Sequence, residues 1–342
     1  MQMINTLFIN ACIKKDCEVF KMTIKGDMKA VRIHEYGGTE VIRYEVTPIP
    51  EIDQDEVLIK VAATAFNPVD AAIRMGALKN IFPHRMPYIP NVEASGVIES
   101  IGGAVTNFKP GDPVFVFLDM TKDGAAAEYV VTKTENAALA PKSIDLQDAG
   151  AIPVGALTAW QGLFDHGKLQ EGQRVLITAA AGGVGSYAVQ LAKWKGAHVI
   201  GTASEASFPL LQGLGIDQII DYKHEAVEEK VSDKLDLILN LAPEGPAELN
   251  KWLPLLKEGG IFVSTTSPAD AELANRSGVQ TIRMYVGRNA GQLSQIAALV
   301  DEGRIKPVIT ERVKLDDLAL IHNKSQAGKI RGKVLINLDW RQ

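Results

Sequence analysis

Residues 174–204 constrain the fold more than any other stretch of the chain. They read as a short apolar strand over 174–177, a glycine turn, an amphipathic helix over 187–195 and a β-branched strand over 198–202. In the turn, Ala180, Ala181, Gly182, Gly183, Val184 and Gly185 fit the pattern G-x-G-x-x-G with alanine in place of the first glycine. Gly182 lets the backbone approach a pyrophosphate, and Gly185 lets the helix pack closely on the strand. The helix opening near Ser186 aims free N–H groups and the positive end of its dipole at phosphate. Strand, turn, helix and strand in this order specify a doubly wound parallel sheet that carries a dinucleotide.

The next strand end bears on which dinucleotide. An NAD site places an Asp or Glu about 20 residues past the glycines, where it bonds the ribose 2′-hydroxyl. Here the count from Gly182 reaches Thr202, followed by Ala203, Ser204 and Glu205, and the strand itself ends without a carboxylate. A 2′-phosphate would meet hydroxyls there, so NADPH is the expected cofactor. Ser204, Ser207 and Tyr222, the last ending the strand over 218–222, are its expected donors; helix capping is the alternative role of the two serines. Glu205 and the lack of an Arg or Lys in this loop argue the other way, because a cation is the stronger phosphate partner.

At 342 residues the chain is long enough for two cores. Its net charge of −5, with both signs mixed throughout, leaves no basic stripe for nucleic acid or an anionic membrane, and neither partner is expected. The apolar piece over 7–13 is short, with its lysines behind it rather than in front, which makes a poor export signal. A cytoplasmic protein is therefore expected, with residues 1–27 a mobile extension. Both cysteines, Cys12 and Cys17, fall in that extension, which excludes a disulfide framework or a thiolate zinc site from the rest.

Ahead of the glycine turn, β segments over 31–34, 57–62, 93–101, 113–117 and 126–131 are punctuated by Gly, Pro and Asp, as in a curled antiparallel domain. Helical patterning over 146–164 leads into alternating strands and helices. The strands over 235–241, 260–266 and 281–286, with helices over 247–256 and 291–301, complete a six-strand doubly wound set. After Gly303 the chain is β-like again, over 305–313 and 333–338 around a helix over 318–327. The expected division is 1–27, 28–152 as the first part of a catalytic β domain, 153–304 as the cofactor domain, and 305–342 returning to the first.

Six motifs in order carry a resemblance: Asn67-Pro68-Val69-Asp70, Val92-Glu93-Ala94-Ser95-Gly96, Gly111-Asp112-Pro113-Val114, Gly155-Ala156-Leu157-Thr158-Ala159-Trp160, Ala180–Gly185 and Gly332-Lys333-Val334-Leu335. The chain resembles the zinc-free, zeta-crystallin-like quinone oxidoreductase branch of the medium-chain dehydrogenase/reductase superfamily over 28–342. The resemblance implies a Rossmann sheet inserted in a split, GroES-like antiparallel β domain. It also implies that Asn67 and Val92 stand where zinc alcohol dehydrogenases carry a Cys and a His ligand, and that the four-cysteine lobe is missing. No metal is expected. Without a Lewis acid the chain has little means of deprotonating an ordinary alcohol, so reduction of an electron-poor acceptor, a quinone or an enone, is the expected reaction.

By the same resemblance Asn67 lies beside the nicotinamide, with Asp70 and Arg74 on the segment that follows; Asp70 has helix N-capping as its alternative. Ala72 stands where some relatives place a tyrosine proton donor, which leaves solvent to protonate the product. Thr158, Asn240, Leu241, Thr265, Thr266 and Lys333 are the remaining expected cofactor contacts, and Trp160 is either a substrate wall or core. A homodimer or homotetramer joined through the strand over 281–286 is expected by analogy. Two rival readings stay open: a 2-alkenal reductase, and a non-enzymatic NADPH-binding redox sensor or RNA-binding protein.

Overall fold

The computed structural model describes residues 26–338. The extension expected over 1–27, with its two cysteines, therefore lies almost wholly outside the described residues. The chain opens with an antiparallel ribbon of β1 (Asp27–Ile33) and β2 (Ile42–Pro48). The strands β3 (Glu56–Ala65), β4 (Glu93–Ile101), β5 (Pro113–Phe117), β6 (Tyr129–Lys133) and β7 (Ala137–Leu139) then build most of a sheet. Next comes a second sheet of β8 (Arg174–Ile177), β9 (His198–Ala203), β10 (Gln218–Asp221), β11 (Leu235–Asn240), β12 (Leu256–Ser264) and β13 (Gln280–Arg283). Finally β14 (Ile309–Lys314) and β15 (Lys333–Asn337) return to the first sheet, β15 pairing with β3.

The second sheet is parallel in the order β10-β9-β8-β11-β12-β13, which reverses direction at β8. That is the doubly wound arrangement, with its ligand crevice at the carboxyl ends of the strands beside the reversal. Leu237, Ile238 and Leu239 on β11 are all fully buried, because helices cover both faces. Each such side chain contributes about 1.5–3 kcal/mol of burial. The first sheet runs β14-β15-β3-β4-β5-β7 with β6 on β3, antiparallel except for the β14–β15 pair. Its alternate residues turn toward a separate core around Val57, Ile59, Ala94, Val114 and Ile336.

Three local expectations change. The helical stretch over 146–164 is broken into Leu146–Ala149, Pro153–Trp160 and a π-helical turn Gln161–His166. Pro153 has no N–H to continue the first helix and instead opens the second. β2 and β7 escape sequence patterning because β2 leaves Tyr44 and Val46 exposed and β7 is three residues long. β13 stands at the sheet edge and stops at Arg283; Met284 N–H still donates to Ser264 O on β12 at 2.9 Å, and Val286 beyond it lines a cavity between the two sheets.

Candidate functional site

The glycine turn connects β8 to the helix Gly185–Trp194. The left-handed residue is Ala179 (φ 48°), while Ala180 is enclosed and donates its N–H to Thr202 O at 3.0 Å. Ala180 therefore shapes the turn and offers no amide to a ligand, contrary to expectation. A Cβ at Gly185 would stand 2.3 Å from Ala179 O, and one at Gly183 2.9 Å from Lys333 Cδ. The N–H groups of Ala181, Val184 and Gly185 have no backbone acceptor among the described residues, while that of Gly183 faces Gly332 O in the bridge between Gly182 and Gly332. Beside them the buried Ser186 Oγ also has no partner. Buried donors are normally paired, and a pyrophosphate would satisfy this set. The residues fit a dinucleotide.

Past β9, Ser207 is enclosed and its N–H donates to Ser204 O at 2.8 Å. The expectation that Ser207 meets a 2′-phosphate is corrected by that burial. Ser204 remains half-buried at the strand end, and Tyr222, 56% exposed, follows Asp221, whose partner on β9 is Ala203. At the ends of β11 and β12, Asn240 is a buried hub. Its Oδ1 accepts from Thr178 Oγ1 at 2.7 Å, and its Nδ2 donates to Ala242 O, Ser264 Oγ and Thr266 Oγ1 at 3.0–3.1 Å. Leu241 N donates to Thr178 Oγ1 at 2.8 Å, Thr265 N to Asn240 O at 3.1 Å, and Thr266 Oγ1 to Ala242 O at 2.8 Å. Asn240 is buried and Leu241, Thr265 and Thr266 are half-buried, and these bonds tie the rim of the crevice together. The hydroxyl hydrogen of Thr158 is likewise committed, to Val154 O at 2.6 Å on its own helix. Trp160 packs edge-on against Phe164 at 5.1 Å and stacks with Trp194 at 6.2 Å, so it is packing rather than a substrate wall.

Across the crevice, Asn67 caps the helix Pro68–Arg74 in a capping box with Asp70, whose Oδ2 accepts the Asn67 N–H at 2.7 Å. The Asn67 carboxamide is held at both ends: Nδ2 donates to Glu93 Oε1 at 2.7 Å, and Oδ1 accepts from Lys333 Nζ at 2.8 Å. Lys333 also pairs with Glu93, and Glu93 Oε2 accepts the Val154 N–H at 2.7 Å. Glu93 and Lys333 are 0% and 2% exposed at the side chain. The expectation that Lys333 reaches a phosphate is corrected for this structure, since its ammonium is enclosed between a carboxylate and an amide. Asp70 Oδ1 has no partner, and burial, with Glu93 nearby, pushes the Asp70 carboxyl up to about 7. Arg74 is not a catalytic residue. It is fully buried, donates from Nε to His322 Nδ1 at 3.2 Å and bonds Gly37 O, and burial followed by the Arg74 charge holds His322 at about 3.

A cavity of about 700 Å³ opens between the two sheets, lined by Phe82, Phe117, Met120, Val286, Arg288 and Asn289 among others. It adjoins the buried cluster, because Phe117 is the β5 partner of Glu93 on β4. At its rim Arg288 pairs with Asp119 at 3.0 Å, one from each sheet's loops. Sequence reasoning quoted Glu93 in a motif but gave it no role. The available signal was a carboxylate opening an otherwise apolar strand. Arg288, Asp119 and Thr178 carried no such signal.

Zinc does not fit the residues present. An amide and an aliphatic side chain stand at Asn67 and Val92, the ammonium of Lys333 already bonds Asn67 Oδ1, and among the described residues no three His, Cys, Asp or Glu side chains cluster as ligands. Residues 53–142 match the family described as "Alcohol dehydrogenase GroES-like domain", and residues 214–336 that described as "Zinc-binding dehydrogenase". The chain is 31% identical over 324 residues to a chloroplastic quinone-oxidoreductase homolog of Spinacia oleracea, covering 90% of this chain and 98% of the relative. It is 34% identical over 296 residues to a chloroplastic NADPH-dependent alkenal/one oxidoreductase of Arabidopsis thaliana, covering 84% and 73%. The structure of the quinone oxidoreductase from Coxiella burnetii superposes with a TM-score of 0.84 at 29% identity, over 92% of this chain and all of that one. Both curated relatives are chloroplastic and others are mitochondrial, which overturns the cytoplasmic expectation. No helix among the described residues is long and apolar enough to cross a membrane. By sequence, by fold and by the residues at the former metal position, the chain belongs to the medium-chain dehydrogenase/reductase superfamily, in its quinone oxidoreductase branch.

Proposed function

We propose that the chain is an NADPH-dependent reductase of quinones or of the activated C=C bond of enones. The observation that carries this is the turn at 180–185, with its unsatisfied N–H groups and the orphaned Ser186 hydroxyl; a cavity lined by Phe117 and Val286 is large enough for a ring-sized acceptor. Ala181, Gly182, Gly183, Val184 and Gly185 hold the pyrophosphate; Ser204 and Tyr222 meet the 2′-phosphate at a strand end without a carboxylate. When bound, the nicotinamide supplies the hydride. The protein aligns the acceptor against it, excludes water, and fixes the Asn67 carboxamide beside the reacting atoms. Both curated relatives named above act on acceptors of this kind by their names, and one is named NADPH-dependent.

Two copies pair through the exposed edge of β13, giving a homodimer or homotetramer, and the mixed surface charge supports neither a nucleic acid nor a membrane partner. The test follows NADPH and NADH oxidation by the purified protein against quinones, enones, alkenals and simple alcohols. Quinone or enone turnover with tighter binding of NADPH is the expected result. Turnover of alcohols alone, or tighter binding of NADH, would refute the reading.

A further inference from the structure

Five segments meet at one residue on the floor of the crevice. The backbone of Lys333 begins β15, and its N–H donates to Val308 O at 2.8 Å. Its neighbour Gly332 donates to Ala181 O at 3.1 Å and forms a β-bridge with Gly182, so the returning tail lies directly on the glycine turn. The Lys333 stem packs against Gly183, where any side chain would collide with it. Its ammonium then bonds Asn67 and Glu93, and Glu93 in turn holds the first N–H of the helix Pro153–Trp160.

We infer that Lys333 is a positioning residue for hydride transfer, a rigid brace that sets the distance between the cofactor cradle at 181–185 and the Asn67 carboxamide. The inference rests on the reductase reading above. Removing the brace leaves the turn's amides intact, because none of them bonds the ammonium. It frees the Asn67 amide to rotate, because Oδ1 then has no donor. A misplacement of about 1 Å at such a site costs about 100-fold in rate. The expected signature is a fall in kcat with little change in NADPH affinity.

Lys333→Met alone strands Glu93 without its cation and can fail to fold for that reason. The deciding variant is therefore E93Q/K333M, which removes both charges together and keeps an acceptor for Val154. Lys333→Arg serves as the conservative control. Wild-type turnover is measured first, since its absence sinks the reductase reading and this inference with it. Given turnover, the double variant is expected to lose about 100-fold in kcat, with NADPH dissociation constants unchanged within about threefold and partial rescue by Lys333→Arg. A crystal structure of the cofactor-free double variant should show the Asn67 carboxamide turned away from its wild-type position. Unchanged kcat, or weakened NADPH binding at unchanged kcat, or an unmoved Asn67 side chain would each overturn the brace while leaving the reductase reading intact.

Discussion

The two walls of the crevice are built by opposite means. The cradle at 181–185 is made of backbone N–H groups and of glycines whose missing side chains let helix and strand approach, and it draws on consecutive residues. The opposing floor is made of side chains, Asn67, Asp70, Glu93 and Lys333, whose bonds join positions 3 to 266 residues apart. A wall of backbone leaves its donors open for a charged ligand. A wall of buried charge has nearly all its groups satisfied internally and serves to fix geometry.

The contrast is tested most severely at Glu93. Glu93→Ala leaves the Lys333 ammonium buried opposite an empty space and is expected to cost about 3–5 kcal/mol of stability, whereas Glu93→Gln costs clearly less. Urea unfolding of the two variants checks the ordering, and equal losses would mean that the floor is not held by charge. Asp70 gives a pH signature. Its folded-state pKa of about 7 lies above the ordinary 3.8, so the folded protein retains this proton while the unfolded chain has lost it. Stability therefore falls as pH rises from about 4 to about 7 and levels off above, by an amount on the order of a few kcal/mol. Asp70→Asn, which carries no charge in either state, should flatten that slope in thermal unfolding measured across this range. The smallest effect is expected in the cradle. Gly185→Ala drives a Cβ into Ala179 O and is expected to cost about 1–3 kcal/mol by overpacking. It should also weaken NADPH binding at least tenfold, measured by fluorescence titration, if the amides it displaces are the pyrophosphate contacts proposed above.

The same contrast explains what was legible in the sequence. The turn, the six-strand parallel set and the split first sheet follow from local order: glycine spacing, apolar runs and a β-like tail after Gly303. Asn67 and Lys333 were found through motifs, yet the bond between them was invisible, because nothing in one linear segment records a partner 266 residues away. Arg74 shows the converse error. A cation one turn beyond a site residue suggested chemistry, but the helix Pro68–Arg74 points it inward to His322, on a helix that the sequence places 248 residues later. Asn240 and Thr266 were placed at the correct strand ends, and only their side-chain partners reveal that they stitch the rim.

The late position of β15 sets the order in which the protein matures during synthesis. Glu93 and Asn67 leave the ribosome long before Lys333, which emerges 240 residues after Glu93. Until then β3 lacks its β15 neighbour, and a carboxylate destined for the interior has no cation to meet it. The parallel sheet has all its strands by residue 283. The amino-terminal portion must therefore wait, partly assembled, for the carboxy-terminal strand to close both its sheet and its charge balance.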